Sequence, residues 1–442
     1  MKNKEFFIET YGCQMNFSDS EIVVSVLEEK GFRNTKNIRE ADLILINTCS
    51  IRDHAEQRVR KRLDYMQSLK KKNPRLVVGL LGCMAERLKS QLLEEEKVLD
   101  IIAGPDSYRD LPMLLEEVES GRKAVNTLLS AEETYADIAP VRYDSNGISA
   151  YISIMRGCEN YCAYCVVPFV RGQERSRDSS SVIREAEDLF RDGYREVTLL
   201  GQNVNSYHWL NGGSKTGFAE LLEKVATINP LLRVRFATSH PKDLSDELLQ
   251  TISGHHNICK SIHLPVQSGS TRILGRMNRG YTREQYLERI DAIRKILPGC
   301  AISTDIIAGF CDETEKDHLD TLSLMEKVGY NHAFMFRYSE RPDTLAADRY
   351  QDNVPDGIKE RRLREVIDIQ QRLSYQNNKR DVGKIFEVLV EGFSKRSSGH
   401  LSGRNSQNKV VVFPVTGNKP GDYVDVKINR FTSATLLGEK VR

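Results

Sequence analysis

Over the first 120 residues, dense apolar runs alternate with amphipathic stretches. FFIETYGC, ADLILINTC and RLVVGLLGC read as strands buried on both faces, the pattern of a parallel sheet, and VLDIIAG predicts a fourth. Between them, SEIVVSVLEEKGF and HAEQRVRKRLDYMQSLKKK carry apolar residues at helical spacing. Strand and helix in alternation predict a doubly wound α/β sheet. The rhythm lapses over residues 121–145, which predict a linker. It resumes with YISIMRG, EVTLLGQNV, RVRFATS, SIHLPVQ, AISTDIIAG and HAFMFRYS as strands. SVIREAEDLFRDG, REQYLERIDAIRKIL and TEKDHLDTLSLMEKVG are the helices between. Six βα units are too few to close an eight-fold barrel, so a partial (β/α)6 barrel is expected. A charged helix, IKERRLREVIDIQQRLSYQNNK, follows. From Gly383, KIFEVLVEGF, KVVVFPV and GDYVDVKINRFT predict a small antiparallel β module. The expected organisation is an N-terminal domain over 1–120, a linker over 121–145, a barrel core over 146–376 and a β module over 377–442.

A chain of 442 residues has room for such a set of domains. Its net charge of +2 is close to neutral, so any nucleic-acid surface must be local. No apolar run reaches a membrane span, and the opening MKNKEFFIETYGC lacks the long apolar stretch expected of a secretory signal. The cytoplasm is the expected location, where thiols stay reduced. Nine cysteines over this length do not make a disulfide framework, so ligands, catalytic groups and small core residues are the candidates.

Three of the nine stand in equivalent places. Cys13, Cys49 and Cys83 each follow one of the first three strands. In an open α/β sheet, ligands gather beyond the carboxyl ends of the strands. Three thiols there predict one metal site; the bland alternative is three small core residues. A second trio lies in RGCENYCAYCVV, where Cys158, Cys162 and Cys165 are separated by three and two residues. A structural zinc site needs four closed ligands, and a distant histidine could supply the fourth. The other reading is a [4Fe-4S] cluster with three irons held by thiolates and one left open for a substrate or cofactor.

The CxxxCxxC motif after the first strand of a partial barrel, with Tyr164 before its last cysteine, resembles the radical S-adenosylmethionine (SAM) superfamily. With the N-terminal trio and the C-terminal β module, the chain resembles the methylthiotransferase branch over essentially its whole length. The words YGCQMN, NTCSIR and CVVPFVRG are similar to the members that act on isopentenylated adenosine in tRNA. One departure is GFCDET, where the family often reads GFPGET, so Cys311 replaces a proline. Cys259 and Cys300 read as core.

The resemblance implies two [4Fe-4S] clusters, on Cys13, Cys49 and Cys83 and on Cys158, Cys162 and Cys165. It implies two equivalents of SAM per turnover. One donates a methyl group to sulfur on the N-terminal cluster. The other is cleaved at the open iron to a 5′-deoxyadenosyl radical that removes hydrogen from carbon 2 of adenine next to the tRNA anticodon. An electron donor and a supplier of cluster or sulfur are implied partners, and no membrane. Expected SAM contacts at strand ends are Tyr164, Gln202, Asn203, Ser239 (beside His240), Gln267, Asp305 and Arg337, though each could equally be a barrel residue. The C-terminal module resembles a TRAM domain, an RNA-binding fold. Residues 377–442 hold 12 Lys and Arg against 6 Asp and Glu, a balance that suits phosphate contacts. Lys395, Arg396, Arg404 and Lys409 cluster around the polar stretch SKRSSGHLSGRNSQNK, which predicts a loop. Phe393 and Phe413 are candidates for base stacking, and core is the alternative. The helix at 54–72 is also basic, which fits RNA contact or a solvated face equally.

Other targets stay open: threonylcarbamoyl-adenosine in tRNA, or a ribosomal-protein aspartate. A non-enzymatic iron–sulfur RNA-binding protein is a further class. An open iron argues against it, because a structural cluster gains nothing from a missing ligand.

Overall fold

The computed structural model describes residues 4–49, 53–89 and 91–441, which divide into two units. The first unit comprises 1–144, 155–159 and 166–181; the second comprises 145–154, 160–165 and 182–442. Residues 50–52, the end of the NTCSIR stretch, lie outside the described residues.

In the first unit six parallel strands form one sheet: β1 (Glu5–Thr10), β2 (Arg33–Asn34), β3 (Leu43–Thr48), β4 (Val77–Gly82), β5 (Ile101–Ala103) and β6 (Ala124–Asn126). Their order is β2-β1-β3-β4-β5-β6. β3 is buried along its whole length, as a central strand covered on both faces must be. One face packs Val23, Leu27, Leu45 and Tyr108, and the other packs Ile44, Ile46, Met66 and Leu80. Of the stretch expected to be a linker, residues 121–144 are part of this unit. The stretch contains β6, and Tyr135 within it is buried, its hydroxyl donating to the Pro105 carbonyl at 3.0 Å. A three-residue edge strand is too short to show a period, which is why the sequence pattern conceals it.

The second unit has six parallel strands: β7 (Ser149–Ser153), β8 (Glu196–Leu200), β9 (Arg233–Ala237), β10 (Ser261–His263), β11 (Ala301–Ala308) and β12 (His332–Arg337). β7, β8 and β9 form one ladder and β10, β11 and β12 another. A Val234–Ile258 bridge and a Ser239 N–H to His263 carbonyl bond of 3.3 Å connect them, giving the expected six-stranded arc. Among the helices between strands, Arg283–Ile296 and Glu315–Val328 open with capping boxes at Thr282 and Thr314.

Helix Asp356–Lys379 leads to a closed five-stranded barrel: β13 (Ile385–Ser394), β14 (Ser397–Asn405), β15 (Val410–Pro414), β16 (Tyr423–Phe431) and β17 (Thr435–Lys440). β14 was expected as a loop because it is rich in serine and glycine. It is a strand paired on both sides, burying Leu401, Gly403 and Asn405 in alternation. A Cβ on Gly403 would lie 2.0 Å from the Leu389 carbonyl oxygen, so only glycine fits that crossing. Phe413 is wholly buried in this barrel's core and is no stacking surface, whereas Phe393 is exposed.

The small barrel docks on the amino-terminal rim of the arc. Arg233 donates to the Arg404 carbonyl (2.7 Å) and pairs with Glu387 (3.0 Å). Arg235 donates to the Asn405 carbonyl (2.9 Å) and to Glu196 (2.7 Å), and the Tyr423 hydroxyl reaches the Arg195 and Leu231 carbonyls. Among the described residues no helix is long and apolar enough to cross a membrane.

Candidate functional site

Parallel register brings the N-terminal thiols to one end of the sheet. Thr10 pairs with Asn47 and Thr48 with Gly82, so the carboxyl ends of β1, β3 and β4 are level. Cys13 follows β1 and caps the helix Gln14–Glu29; Cys49 follows β3; Cys83 begins the helix Cys83–Leu88. The Cys13 and Cys49 thiols share a hydrogen bond, which is the main reason the pKa of Cys13 falls to about 6. The Arg171 charge adds to that effect and burial opposes it. Burial pushes the Cys83 thiol up, against the same arginine. A Cβ on Gly12 would lie 2.5 Å from that of Cys49, and one on Gly82 would lie 2.3 Å from Asn47 Oδ1. Both glycines have positive φ (128° and 87°), so the two turns beside the thiols admit no larger residue without strain.

Beneath the thiols lies a buried ionic network within the same unit. Arg171, 3% exposed, donates from Nε to Cys83 Sγ at 3.3 Å and from Nη2 to Asp19 at 2.7 Å. Asp19 also pairs with Arg156 at 2.8 Å. Arg156 stands 3.5 Å from Asp106, which pairs with Arg175 at 3.0 Å. Three arginines against two aspartates leave one positive charge among these buried side chains. Arg171 Nη1 has no hydrogen-bond partner. A buried cationic donor without an acceptor is costly unless a bound anionic group supplies one. An oxidised four-iron core held by three thiolates is such a group, carrying one net negative charge and acceptor sulfurs. The residues present therefore fit a [4Fe-4S] cluster. Among the described residues no three cysteine, histidine or carboxylate side chains surround a single ion. A cubane takes each thiolate at a different iron, so its ligands need not close on one point.

In the second trio, Cys158 belongs to the first unit, where its N–H donates to the Gly172 carbonyl at 3.2 Å. The Gly157 before it has φ of 78°, and a Cβ there would lie 1.9 Å from the Gln173 carbonyl oxygen. Cys162 and Cys165 belong to the second unit and are joined by a Cys165 N–H to Cys162 carbonyl bond of 2.9 Å. Their loop is stapled by Ala163 N–H to the Met277 carbonyl (2.9 Å) and by Asn278 Nδ2 to the Tyr161 carbonyl (2.9 Å). Arg279, buried, donates from Nη1 to Cys162 Sγ at 3.1 Å, from Nη2 to the Pro265 carbonyl at 2.7 Å and from Nε to the Tyr281 hydroxyl at 3.0 Å. Each trio thus has one buried arginine on one thiol.

The strand-end candidates differ in what they have free. Ser239 Oγ and Gln202 Oε1 are buried without a partner. Asn203 is committed, donating to Asp243 (2.7 Å) and accepting from His240 N–H (3.1 Å). His240 accepts from Lys242 N–H on Nδ1, and burial lowers its pKa to about 2, so its ring is neutral with the proton on Nε2. That Nε2 is buried and unpartnered. Gln267 adopts φ of 72° while extending the ladder between Asp305 and Ile307. Thr238 (φ 111°) and Tyr161 (φ 46°) are likewise in the left-handed region. Strained backbone of this kind gathers at functional sites. Asp305 lies 3.5 Å from His263, Tyr164 accepts from Arg279 at 3.4 Å, and Arg337 is half-exposed beside Glu360. Cys259 and Cys311 are buried, and Cys311 packs with Phe310 and Tyr338.

Of the basic candidates, Lys395 and Arg396 are exposed in the turn between β13 and β14. Arg404 is paired with Glu391 (2.6 Å) and Lys409 with Asp381 (2.6 Å), so neither is free. In the basic helix Asp53–Lys72, Arg60, Arg62 and Lys70 pair with acids of their own unit, while Lys61, Lys71 and Lys72 are exposed. The sequence reading missed Arg171, Asp19 and Arg279. Arg171 falls inside the quoted CVVPFVRG, but nothing in local spacing links it to an aspartate 152 residues away.

Family models match three stretches: the Uncharacterized protein family UPF0004 over residues 5–104, the Radical SAM superfamily over 152–325 and the TRAM domain over 379–441. The chain is 59% identical to a tRNA-2-methylthio-N(6)-dimethylallyladenosine synthase from Amoebophilus asiaticus, covering 99% of this chain and 92% of that one. It is 56% identical to a protein of the same name from Chloroherpeton thalassium, covering 98% and 95%. Its fold is similar to that of the radical SAM methyltransferase TsrM from Kitasatospora setae, with TM-score 0.57, 14% identity and coverage of 76% and 73%.

Proposed function

The chain belongs to the tRNA-2-methylthio-N(6)-dimethylallyladenosine synthase family, and on that premise we propose that it methylthiolates carbon 2 of N(6)-isopentenyl-adenosine next to the tRNA anticodon. The observation that carries this reading is the 59% identity to a relative of that name across 99% of the chain. The cofactors are SAM and two [4Fe-4S] clusters.

Cys13, Cys49 and Cys83 are assigned to the auxiliary cluster, and Cys158, Cys162 and Cys165 to the SAM-cleaving one. When bound, the clusters supply the electron that cleaves SAM and the site that carries the transferable sulfur. The protein's part is orientation and exclusion of water. Arg279 fixes Cys162 through an N–H···S bond, and its ties to Pro265 and Tyr281 hold its own position. Ser239 Oγ, Gln202 Oε1 and neutral His240 Nε2–H are polar atoms without protein partners, and a bound SAM would satisfy them. Tyr164, Gln267, Asp305 and Arg337 stay candidates for the same ligand; Asn203 acts through His240. The TRAM module grips tRNA by its phosphates, with Lys395 and Arg396 as the free charges. The target adenosine must leave its stack to be reached. An electron donor and a sulfur or cluster supplier complete the requirement, and the cytoplasm is the compartment where these and tRNA meet.

The test is mass spectrometry of nucleosides after the anaerobically reconstituted chain is incubated with SAM, a reductant and tRNA. Isopentenylated tRNA should gain a methylthio group. Product from threonylcarbamoylated tRNA instead would refute the substrate.

A further inference from the structure

We propose that Arg171 is a positioning residue for the auxiliary cluster, whose sulfur is the acceptor that its buried Nη1 lacks. This rests on the assignment of a cluster to Cys13, Cys49 and Cys83.

The guanidinium has a fixed planar fork of donors and cannot turn one away without moving the rest. Two of its nitrogens are already committed, Nε to Cys83 Sγ at 3.3 Å and Nη2 to Asp19 at 2.7 Å. Asp19 is held in turn by Arg156 at 2.8 Å and by the Tyr108 hydroxyl at 3.3 Å. The third nitrogen, Nη1, is buried and without a partner, on the same guanidinium whose Nε meets a candidate ligand thiol. A fully structural arginine would be expected to have that group paired, because leaving a charged donor unpaired inside a protein is expensive. The network's surplus positive charge also matches the single negative charge of an oxidised cluster on three thiolates. Arg171 therefore has two tasks. It orients Cys83 through sulfur, and it donates to the bound group itself.

This arrangement has an electrochemical consequence. Reduction adds negative charge to the cluster, and a charge-assisted N–H···S bond strengthens as its acceptor becomes more negative. Losing the donor should make reduction about tenfold less favourable, which for a one-electron couple is about 59 mV in the negative direction.

The experiment uses the full chain carrying Cys158→Ala, Cys162→Ala and Cys165→Ala, so that only the auxiliary cluster is present. Iron content, EPR-monitored midpoint potential and thermal unfolding are measured after anaerobic reconstitution. With Arg171 intact, about four irons per chain are expected. Arg171→Gln should shift the potential negative by the amount above, and Arg171→Lys, which keeps the charge, should recover part of it. Asp19→Asn with Arg171→Gln restores the buried charge balance and guards against a folding defect. Because removing the Asp19 charge favours reduction, it should recover about as much of the shift as Arg171→Lys and keep the part due to the lost N–H···S bond. Equal potentials across folded variants would overturn the proposal while leaving the cluster assignment standing. A parent chain that binds no iron at those thiols would overturn both.

Discussion

Neutralising Lys395 and Arg396 should flatten the salt dependence of tRNA binding, whereas neutralising Arg404 and Lys409 should not. The module's surplus of positive charge treats all four residues alike, but their surroundings do not. Lys395 and Arg396 stand exposed in the β13–β14 turn, and among the described residues neither has an ion-pair partner. Arg404 and Lys409 already face carboxylates at 2.6 Å, so a phosphate would have to displace Glu391 or Asp381. Each phosphate contact contributes about 0.7 to 0.9 to the slope of log affinity against log salt. Removing two should lower the slope by about 1.4 to 1.8. Between about 50 and 200 mM salt, the wild-type chain should then lose roughly seven- to twelvefold more affinity than Lys395→Gln/Arg396→Gln. Arg404→Gln should leave the slope intact and cost about 1 kcal/mol of stability by stranding half-buried Glu391. Filter binding across a salt series, with thermal melts alongside, separates the two pairs. A slope that falls equally for both pairs would refute the reasoning. Deleting residues 377–442 is a poorer test. It strips Arg233 and Arg235 of the Arg404 and Asn405 carbonyls and removes the last turn of the helix Asp356–Lys379.

Replacing Cys158, Cys162 and Cys165 together should leave about four irons and abolish SAM cleavage. Replacing Cys13, Cys49 and Cys83 should preserve 5′-deoxyadenosine formation and end methylthio product, and any methylthiolated adenosine from that variant would sink the assignment. Gly82→Ala forces a side chain into φ of 87° and against Asn47 Oδ1. It should cost roughly 2–5 kcal/mol and displace Cys83, halving the iron content. Glu86, buried with Oε2 unpartnered, has its pKa raised to about 7 by burial, with Lys89 opposing and Asp106 adding. A raised carboxyl favours folding below its unfolded value near 4.5 and loses that contribution as pH rises through about 7. Glu86→Gln should therefore gain up to about 3 kcal/mol on the wild type between pH 5 and pH 8, read from thermal unfolding; a pH-independent gap would contradict it.

The fold was legible where strands are buried on both faces. β3 and β4 are apolar runs bounded by turns and buried along nearly their whole length, because a parallel sheet covered by helices leaves no polar face. The arc's strands are more mixed, β9 carrying Arg233 and Arg235 and β12 exposing His332, Phe334 and Arg337, and they are legible from their alternation with helices. What escaped were short or polar strands. β2 and β6 have two and three residues at the sheet's edges and exist only because a neighbour offers its free ladder. β14 looks like a loop because serine and glycine dominate it. It is a strand because both its edges are paired, and at Gly403 because nothing larger than hydrogen fits against Leu389. Composition records the residue's preference and says nothing of a neighbour's backbone.

The same division runs through the site. The cysteines were legible because position after a strand and spacing within a loop are local properties. The groups around them were not, since each pairing crosses the chain: Arg171 with Asp19, Arg279 with Cys162, Arg156 with Asp106. A count of charges also misjudges what a charge can do. Arg404 and Lys395 contribute equally to the module's surplus, yet one is spent on Glu391 and the other is open to solvent. Arg171 shows the converse case, since its charge is offset by Asp19 and its unused hydrogen bond is the informative feature. The distinction that matters for binding is which donors remain unsatisfied after folding, because only those can be satisfied by a ligand without breaking something first.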